Sequence, residues 1–208
     1  MGRTAGTTAA DTRERLLSAA ADVFARRGYD GTRVVDIAEA AGLSNGALYT
    51  HFDSKAGLLV GALRAHGRRL LAELMAADPD RSVPDLLLEA GRSLARRQEP
   101  EGYLVIEALT AARRDPEVAG PMRDYVRERV DWLAALVREA QERGEIDRAV
   151  SPHAVAHFCL ALAVGAALVP PELDDVGDDD WGGFLARLVS ALAPSPTADR
   201  PEPEREPA

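Results

Sequence analysis

The chain has 208 residues, 46% of them apolar and only 5% aromatic, which allows one or two domains with a sizeable buried core. A single cysteine, Cys159, excludes an intramolecular disulfide and fits a reducing cytoplasm. The net charge of −9 argues at first against a nucleic-acid partner, but residues 1–77 hold 10 Lys+Arg against 8 Asp+Glu, so a mildly basic front precedes an acidic body.

Ala, Leu, Arg and Glu dominate, and all favour helix, so the sequence predicts an all-α protein. Residues 1–10 read as a disordered polar tail with no apolar core, hence no secretory signal. Asp11 is expected to start the first helix, with Glu14 completing a capping box and Gly28 ending it. Leu16, Leu17, Ala20, Val23 and Phe24 recur on one side. Thr32 is expected to cap a second helix whose apolar side is Val34, Ile37, Ala38 and Ala41. Gly42-Leu43 then leads to a third helix, "NGALYTHF", capped by Ser44. Asp53 and Ser54 are expected to cap a fourth, from Lys55 to about Ala77, with Leu59, Leu63, Leu70 and Leu74 inward.

Five more helices are expected at about 83–98, 103–114, 117–143, 152–169 and 179–193. The breaks are Asp78-Pro79-Asp80, Glu99-Pro100-Glu101-Gly102, Asp115-Pro116, Gly144 and Pro170-Pro171, and Gly120-Pro121 is a further candidate break. The apolar run 158–169 has 12 residues, short of the roughly 20 that a membrane span needs, so no membrane partner is expected. Residues 194–208 carry five prolines and read as a disordered tail.

The second and third helices are joined closely enough to form a helix-turn-helix over about 33–52, in which the later helix can enter a DNA major groove. Leu48 and Phe52 are four apart and can face inward with Ile37, Phe24 and Leu16. The other side of that helix then carries Asn45, Gly46, Ala47, Tyr49, Thr50 and His51. Small groups at Gly46 and Ala47 let a backbone come close to bases, and Asn45 can bond base edges. Tyr49, Thr50 and His51 can reach phosphates or thymine methyls. The helix starts at Arg33 and Lys55 add a favourable dipole for phosphate.

Residues 13–59, "RERLLSAAADVFARRGYDGTRVVDIAEAAGLSNGALYTHFDSKAGLL", closely resemble the DNA-binding domain of TetR-family transcriptional regulators. The matching marks are Leu16-Leu17-x-Ala19-Ala20, Phe24-x-x-x-Gly28-Tyr29, Thr32, Ile37-Ala38-x-x-Ala41-Gly42-Leu43-Ser44, Gly46, Leu48-Tyr49-x-His51-Phe52 and Lys55. Ala56-Gly57 departs from the family, which usually has Glu before the Leu. The resemblance implies a DNA-binding set of Thr32, Arg33, Ser44, Asn45, Gly46, Ala47, Tyr49, Thr50, His51 and Lys55. Tyr49 is also compatible with a half-buried core tyrosine, His51 with a bond inside the domain, and Lys55 with an ordinary surface lysine, although it is the chain's only lysine.

The resemblance further implies a DNA-binding domain over 11–71 and a helical ligand-binding and dimerisation domain over 72–193. The homodimer would form through the last two helices, where Ala156, Ala163, Gly165, Ala166 and Ala167 permit close approach and Phe184, Leu188 and Ala191 share a stripe. Two reading helices would then sit about 34–36 Å apart on double-stranded operator DNA. An unidentified small-molecule effector is expected among Tyr103, Glu107, Thr110, Tyr125, Arg129, Trp132 and His157. Glu107 lies in a near-apolar run and needs a partner, either the effector or an arginine such as Arg129. His153 and His157 have a spacing that can hold a metal, but Cys159 points elsewhere, so neither metal nor cofactor is expected.

No nucleophile–base pair, paired carboxylates or phosphate loop marks an enzyme. The expected function is a cytoplasmic, ligand-responsive transcriptional repressor, with an activator or a protein-interaction module as alternatives.

Overall fold

The computed structural model describes residues 8–77, 81–95, 103–169 and 175–194, with the side chains of 68–75, 77, 94 and 95 outside that description. The described residues form helices α1 (Ala9–Arg27), α2 (Val34–Ala40), α3 (Asn45–Tyr49), α4 (Lys55–Ala77), α5 (Val83–Ala95), α6 (Leu104–Ala112), α7 (Pro116–Glu142), α8 (Pro152–Leu168) and α9 (Asp178–Ser190), and no strand. The all-α expectation holds. The 1–7 and 195–208 parts of the expected tails, the breaks at 78–80, 99–102 and 170–171, the end of the 83–98 helix and the side chains of Leu70 and Leu74 lie outside the described residues.

Two starts differ from the sequence reading. The cap of α1 lies three residues before the expected one: Thr8 accepts from the Asp11 amide at 3.1 Å, and Asp11 accepts from the Thr8 amide at 2.9 Å. Asp11 is thus the third residue of the capping box rather than its first, and residues 9 and 10 are helical, not tail. Thr8→Ala is expected to cost about 0.5–2 kcal/mol of helix stability, read as lost amide protection over the first turn of α1. In α2 the cap position falls to Arg33, not Thr32. No side chain there accepts; the Asp36 carboxylate instead accepts from the Arg33 amide at 3.0 Å.

Elsewhere the local chemistry matches the pattern. Ser44 accepts from the Ala47 amide at 3.2 Å, Ser54 from Gly57 at 3.0 Å, and Ser151 from Ala154 at 3.3 Å. Asp115 caps α7 by accepting from the Glu117 amide at 2.9 Å, with Pro116 opening the helix. Pro121 does not split α7, which runs through it to Glu142.

One apolar cluster joins α1–α4 to α6 and the first half of α7. It buries Leu16, Phe24, Ile37, Leu48, Phe52, Leu59 and Leu63 together with Leu104, Ala108, Val118, Met122 and Tyr125. The packing therefore runs without interruption from the helix-turn-helix into the following helices. Each fully buried large side chain contributes on the order of 1.5–3 kcal/mol. A second cluster, Val83, Val137, Ala140, Ile146 and Val155, joins α5, α7 and α8. Beside it the buried Gln141 amide donates to the carbonyls of Asp147 at 2.9 Å and Val150 at 2.8 Å, closing the α7–α8 turn. α9 lies on α5, where Trp181 Nε1 donates to the Gly91 carbonyl at 3.1 Å.

Candidate nucleic-acid interface

The site is built on α3, which is only five residues long. A helix this short has no stability of its own in water. It is held by Leu48, 1% exposed, and by Phe52 just beyond its end, both in the first cluster. Arg13 lies over the Phe52 ring at 5.1 Å, and Arg15 Nη2 donates to the Ala41 carbonyl at 2.6 Å, fixing the α2–α3 turn to α1. Neither arginine was singled out by the sequence, because a polar side chain on an exposed helix face gives no signal of what it reaches.

With Leu48 and Phe52 inward, the opposite face is open. Ser44, Asn45, Gly46, Tyr49 and Thr50 are exposed, and Ala47 and His51 are half-buried. Tyr49 is 55% exposed, so it is not a core tyrosine within this chain. A β-carbon added at Gly46 would meet nothing nearer than Ser44 Oγ at 3.9 Å, so the helix surface is flat there because the residue is small, not because a neighbour crowds it. Thr50 Oγ1 donates to the Ala47 carbonyl at 2.6 Å and must turn away before it can donate to a partner.

Arg33 also stands in solvent, with its side chain 80% exposed and paired to Asp36 at 3.2 Å. The hydrogen bond from Arg33 holds the Asp36 carboxyl below its ordinary range, and Asp36 in turn raises the Arg33 guanidinium. Arg27 joins the same carboxylate at 3.4 Å.

Of the residues expected on the DNA side, Thr32 is placed inside, and Lys55 is half-buried and turned to backbone carbonyls. Thr32 is 2% exposed, and its hydroxyl donates to the Gly28 carbonyl at 2.6 Å. Lys55 Nζ donates to the carbonyls of Tyr29 at 2.7 Å and Thr32 at 3.0 Å, and sits 4.1 Å from the centre of the Tyr29 ring. Burial takes the Thr32 hydroxyl away from any phosphate. The two carbonyls and the ring take up most of the Lys55 ammonium, so it works as an internal brace.

The seven residues expected around an effector are not gathered at one place. Tyr103 just before α6, Thr110 on α6 and His157 on α8 are exposed. Glu107 turns toward α1, where its carboxylate accepts from the Tyr29 amide at 2.5 Å. That backbone group, rather than Arg129, is the partner the carboxylate needs. On α7, Tyr125 is buried with its hydroxyl against Gly67 of α4, and burial pushes the phenol above its ordinary range. Arg129 lies over Trp132 at 5.7 Å. An open cleft of about 380 Å³ between α5 and α9 is lined by Glu89, Arg92, Asp178, Asp179 and Gly182, none of the expected seven. His153 faces Asp131 at 3.6 Å, and no cluster of His, Cys, Asp and Glu among the described residues could hold a metal ion.

Comparison with known proteins gives the family. The sequence profile "Bacterial regulatory proteins, tetR family" matches residues 16–62, and "Tetracyclin repressor-like, C-terminal domain" matches residues 82–192. The chain belongs to the TetR family. Similar TetR-family proteins include the HTH-type transcriptional repressor DhaR of Mycobacterium sp., 30% identical over 88% of this chain and 93% of its own. The HTH-type transcriptional regulator UidR of Escherichia coli is 28% identical over 82% of this chain and 86% of its own. Among solved structures, a putative TetR-family regulator from Rhodococcus sp. superposes with a TM-score of 0.77 at 27% identity, covering 88% of this chain and 98% of that one. Salmonella enterica GusR gives 0.72 at 25% identity, covering 87% and 94%. TetR regulators bind operator DNA and act as dimers. Among the described residues no helix is long and apolar enough to cross a membrane.

Proposed function

We propose that this chain is a sequence-specific DNA-binding repressor that releases its operator when a small molecule binds the C-terminal helices. The observation that carries the reading is α3 itself: one buried leucine fixes it, and its whole outer face is open at the end of a tightly braced helix-turn-helix. Asn45, Gly46 and Ala47 approach base edges, while Ser44, Tyr49, Thr50, His51 and Arg33 hold the phosphate backbone. Thr32 and Lys55 serve the same surface from within, by fixing the turn that leads into α2. The repressor name carried by DhaR supports repression over activation.

The dimer forms through α8 and α9. Phe158 and Leu168 on α8 and Phe184 and Leu188 on α9 are exposed in the single chain, an apolar surface that a second copy would cover. A two-fold axis there presents two α3 helices to a near-palindromic site. The effector meets α7 on the side of Tyr125, Arg129 and Trp132, the part of the expected set that shares one helix face.

Fluorescence anisotropy on the promoter DNA flanking the gene tests the reading. Wild-type protein is expected to bind one fragment with a log affinity that falls linearly as log salt rises. Tyr49→Ala is expected to lose about 1.5–3 kcal/mol, the value of a hydrogen bond to a charged group, with the dimer still folded. The phenol is neutral, so that loss should be equal at every salt concentration, whereas Arg33→Ala should reduce the salt slope by about 1. Unchanged affinity for Tyr49→Ala would remove Tyr49 from the interface. A flat salt response of the wild type would sink the DNA-binding reading as a whole.

A further inference from the structure

The turn between α1 and α2 is gripped from two directions. From its own side, Thr32 Oγ1 donates to the Gly28 carbonyl at 2.6 Å, and Lys55 of α4 donates to the Tyr29 and Thr32 carbonyls at 2.7 and 3.0 Å. From the other side come α6 and its junction with α7. Glu107 accepts from the Tyr29 amide at 2.5 Å, Asp115 accepts from the Tyr29 hydroxyl at 2.9 Å, and Arg114 pairs with Asp30 at 3.3 Å. The amide, carbonyl, ring and hydroxyl of Tyr29 are therefore all engaged. Its carbonyl and ring are held by α4, and its amide and hydroxyl by α6 and the α6–α7 junction. Its ring also stacks on Phe24, 6.0 Å between centres.

An apolar contact lies beneath this turn. α6 buries Leu104, Ala108 and Ala111 in the cluster it shares with α1–α4. The hydrophobic contribution of such contacts is non-directional. Hydrogen bonds are directional and weaken steeply when bent or stretched. The apolar face thus brings α6 to the helix-turn-helix, and the polar contacts to Tyr29 fix the angle at which it sits.

We propose that Glu107 and Asp115 are positioning residues for DNA recognition. Through Tyr29 they set the orientation of the helix-turn-helix relative to α6 and α7, and so the separation of the two α3 helices in a dimer. This rests on the DNA-binding reading above. The Asp115 contact also keeps the Tyr29 phenol protonated. Burial first, and that carboxylate second, push the phenol well above its ordinary value.

The test is an intrachain spin-label distance in the full chain, between Glu39→Cys on α2 and Glu142→Cys at the end of α7. The background is Cys159→Ala, and labelled protein is diluted into unlabelled protein. The parent is expected to give one narrow distance distribution. Glu107→Ala should broaden or shift it at unchanged helix content, and Tyr29→Phe should do so to a smaller degree. Glu107→Gln should restore the narrow form, because its side-chain oxygen accepts the same bond from the Tyr29 amide. An unchanged distribution in Glu107→Ala overturns the proposal, as does broadening that comes with lost helix content.

A second arm uses operators with half-sites moved apart by one base pair. Wild type should discriminate at least tenfold between spacings, and Glu107→Ala less than threefold at similar affinity for a single half-site. Equal discrimination by the two proteins counts against the proposal. The distance arm needs no DNA. If wild type binds no promoter fragment while the distances behave as expected, the functional reading falls and the positioning role stands.

Discussion

Leu48→Ala is expected to destabilise the folded protein by about 2–5 kcal/mol, the cost of a large-to-small change at a packed core site. Leu48 is 1% exposed and is the only buried residue of α3. The five-residue helix has no second buried anchor of its own to share the load, and Phe52 sits three residues beyond its end. The void left by the leucine cannot be filled by a slide of α3 without turning its outer face. Two readouts should therefore move together. The midpoint of urea unfolding, measured at fixed protomer concentration, should fall, and operator affinity should fall even under conditions where the protein remains folded. A loss below about 1 kcal/mol would mean that α3 is held by something other than this side chain.

Gly28→Ala is the second large effect. Gly28 has φ 71° and ψ 171°, a backbone region that is essentially glycine-only. Strain alone costs about 1–3 kcal/mol there. A β-carbon would also stand 3.2 Å from Glu107 Oε1, an oxygen that is not free to move because it accepts from the Tyr29 amide. The substitution thus strains the turn and pushes on the contact that joins it to α6. Combining it with Glu107→Ala isolates the second part. The double variant should lose less than the sum of the two single losses, by about 0.5 kcal/mol or more, since the crowded oxygen is gone. Strict additivity, measured by the same unfolding titrations, would show that only backbone strain matters at this position.

Most of the architecture was legible because it is local. Apolar spacing placed Leu16, Phe24, Ile37, Leu48 and Phe52 inside, and each is buried. Ser44 and Ser54 were readable as caps because a cap bonds an amide three residues on, a distance the sequence itself displays. The errors at α1 and α2 arose where two cap candidates compete. Thr8 precedes Asp11 by the spacing of a capping box, and the same aspartate had been read as opening one. At α2, Thr32 had the right chemistry to cap, but its hydroxyl bonds back to Gly28 instead.

The partners of Lys55 and Glu107 are a different matter. Lys55 reaches carbonyls 23 and 26 residues away, and Glu107 reaches an amide 78 residues away. No periodicity encodes such contacts; they exist only once α4 and α6 have converged on one turn. A carboxylate in an apolar run announced that it needed a partner, but not which one. A lone lysine among 24 arginines looked like a plain surface residue, yet its ammonium is tied to two backbone carbonyls.

The outer face of α3 has one more consequence. Asn45, Gly46, Tyr49 and Thr50 are exposed, and none of them belongs to the apolar cluster that holds the helix. Substitutions there draw on almost none of the molecule's small margin of stability. The fold and the operator sequence can therefore diverge independently. A duplicated copy of this gene could acquire a new target by changing a handful of surface side chains, with the scaffold inherited intact.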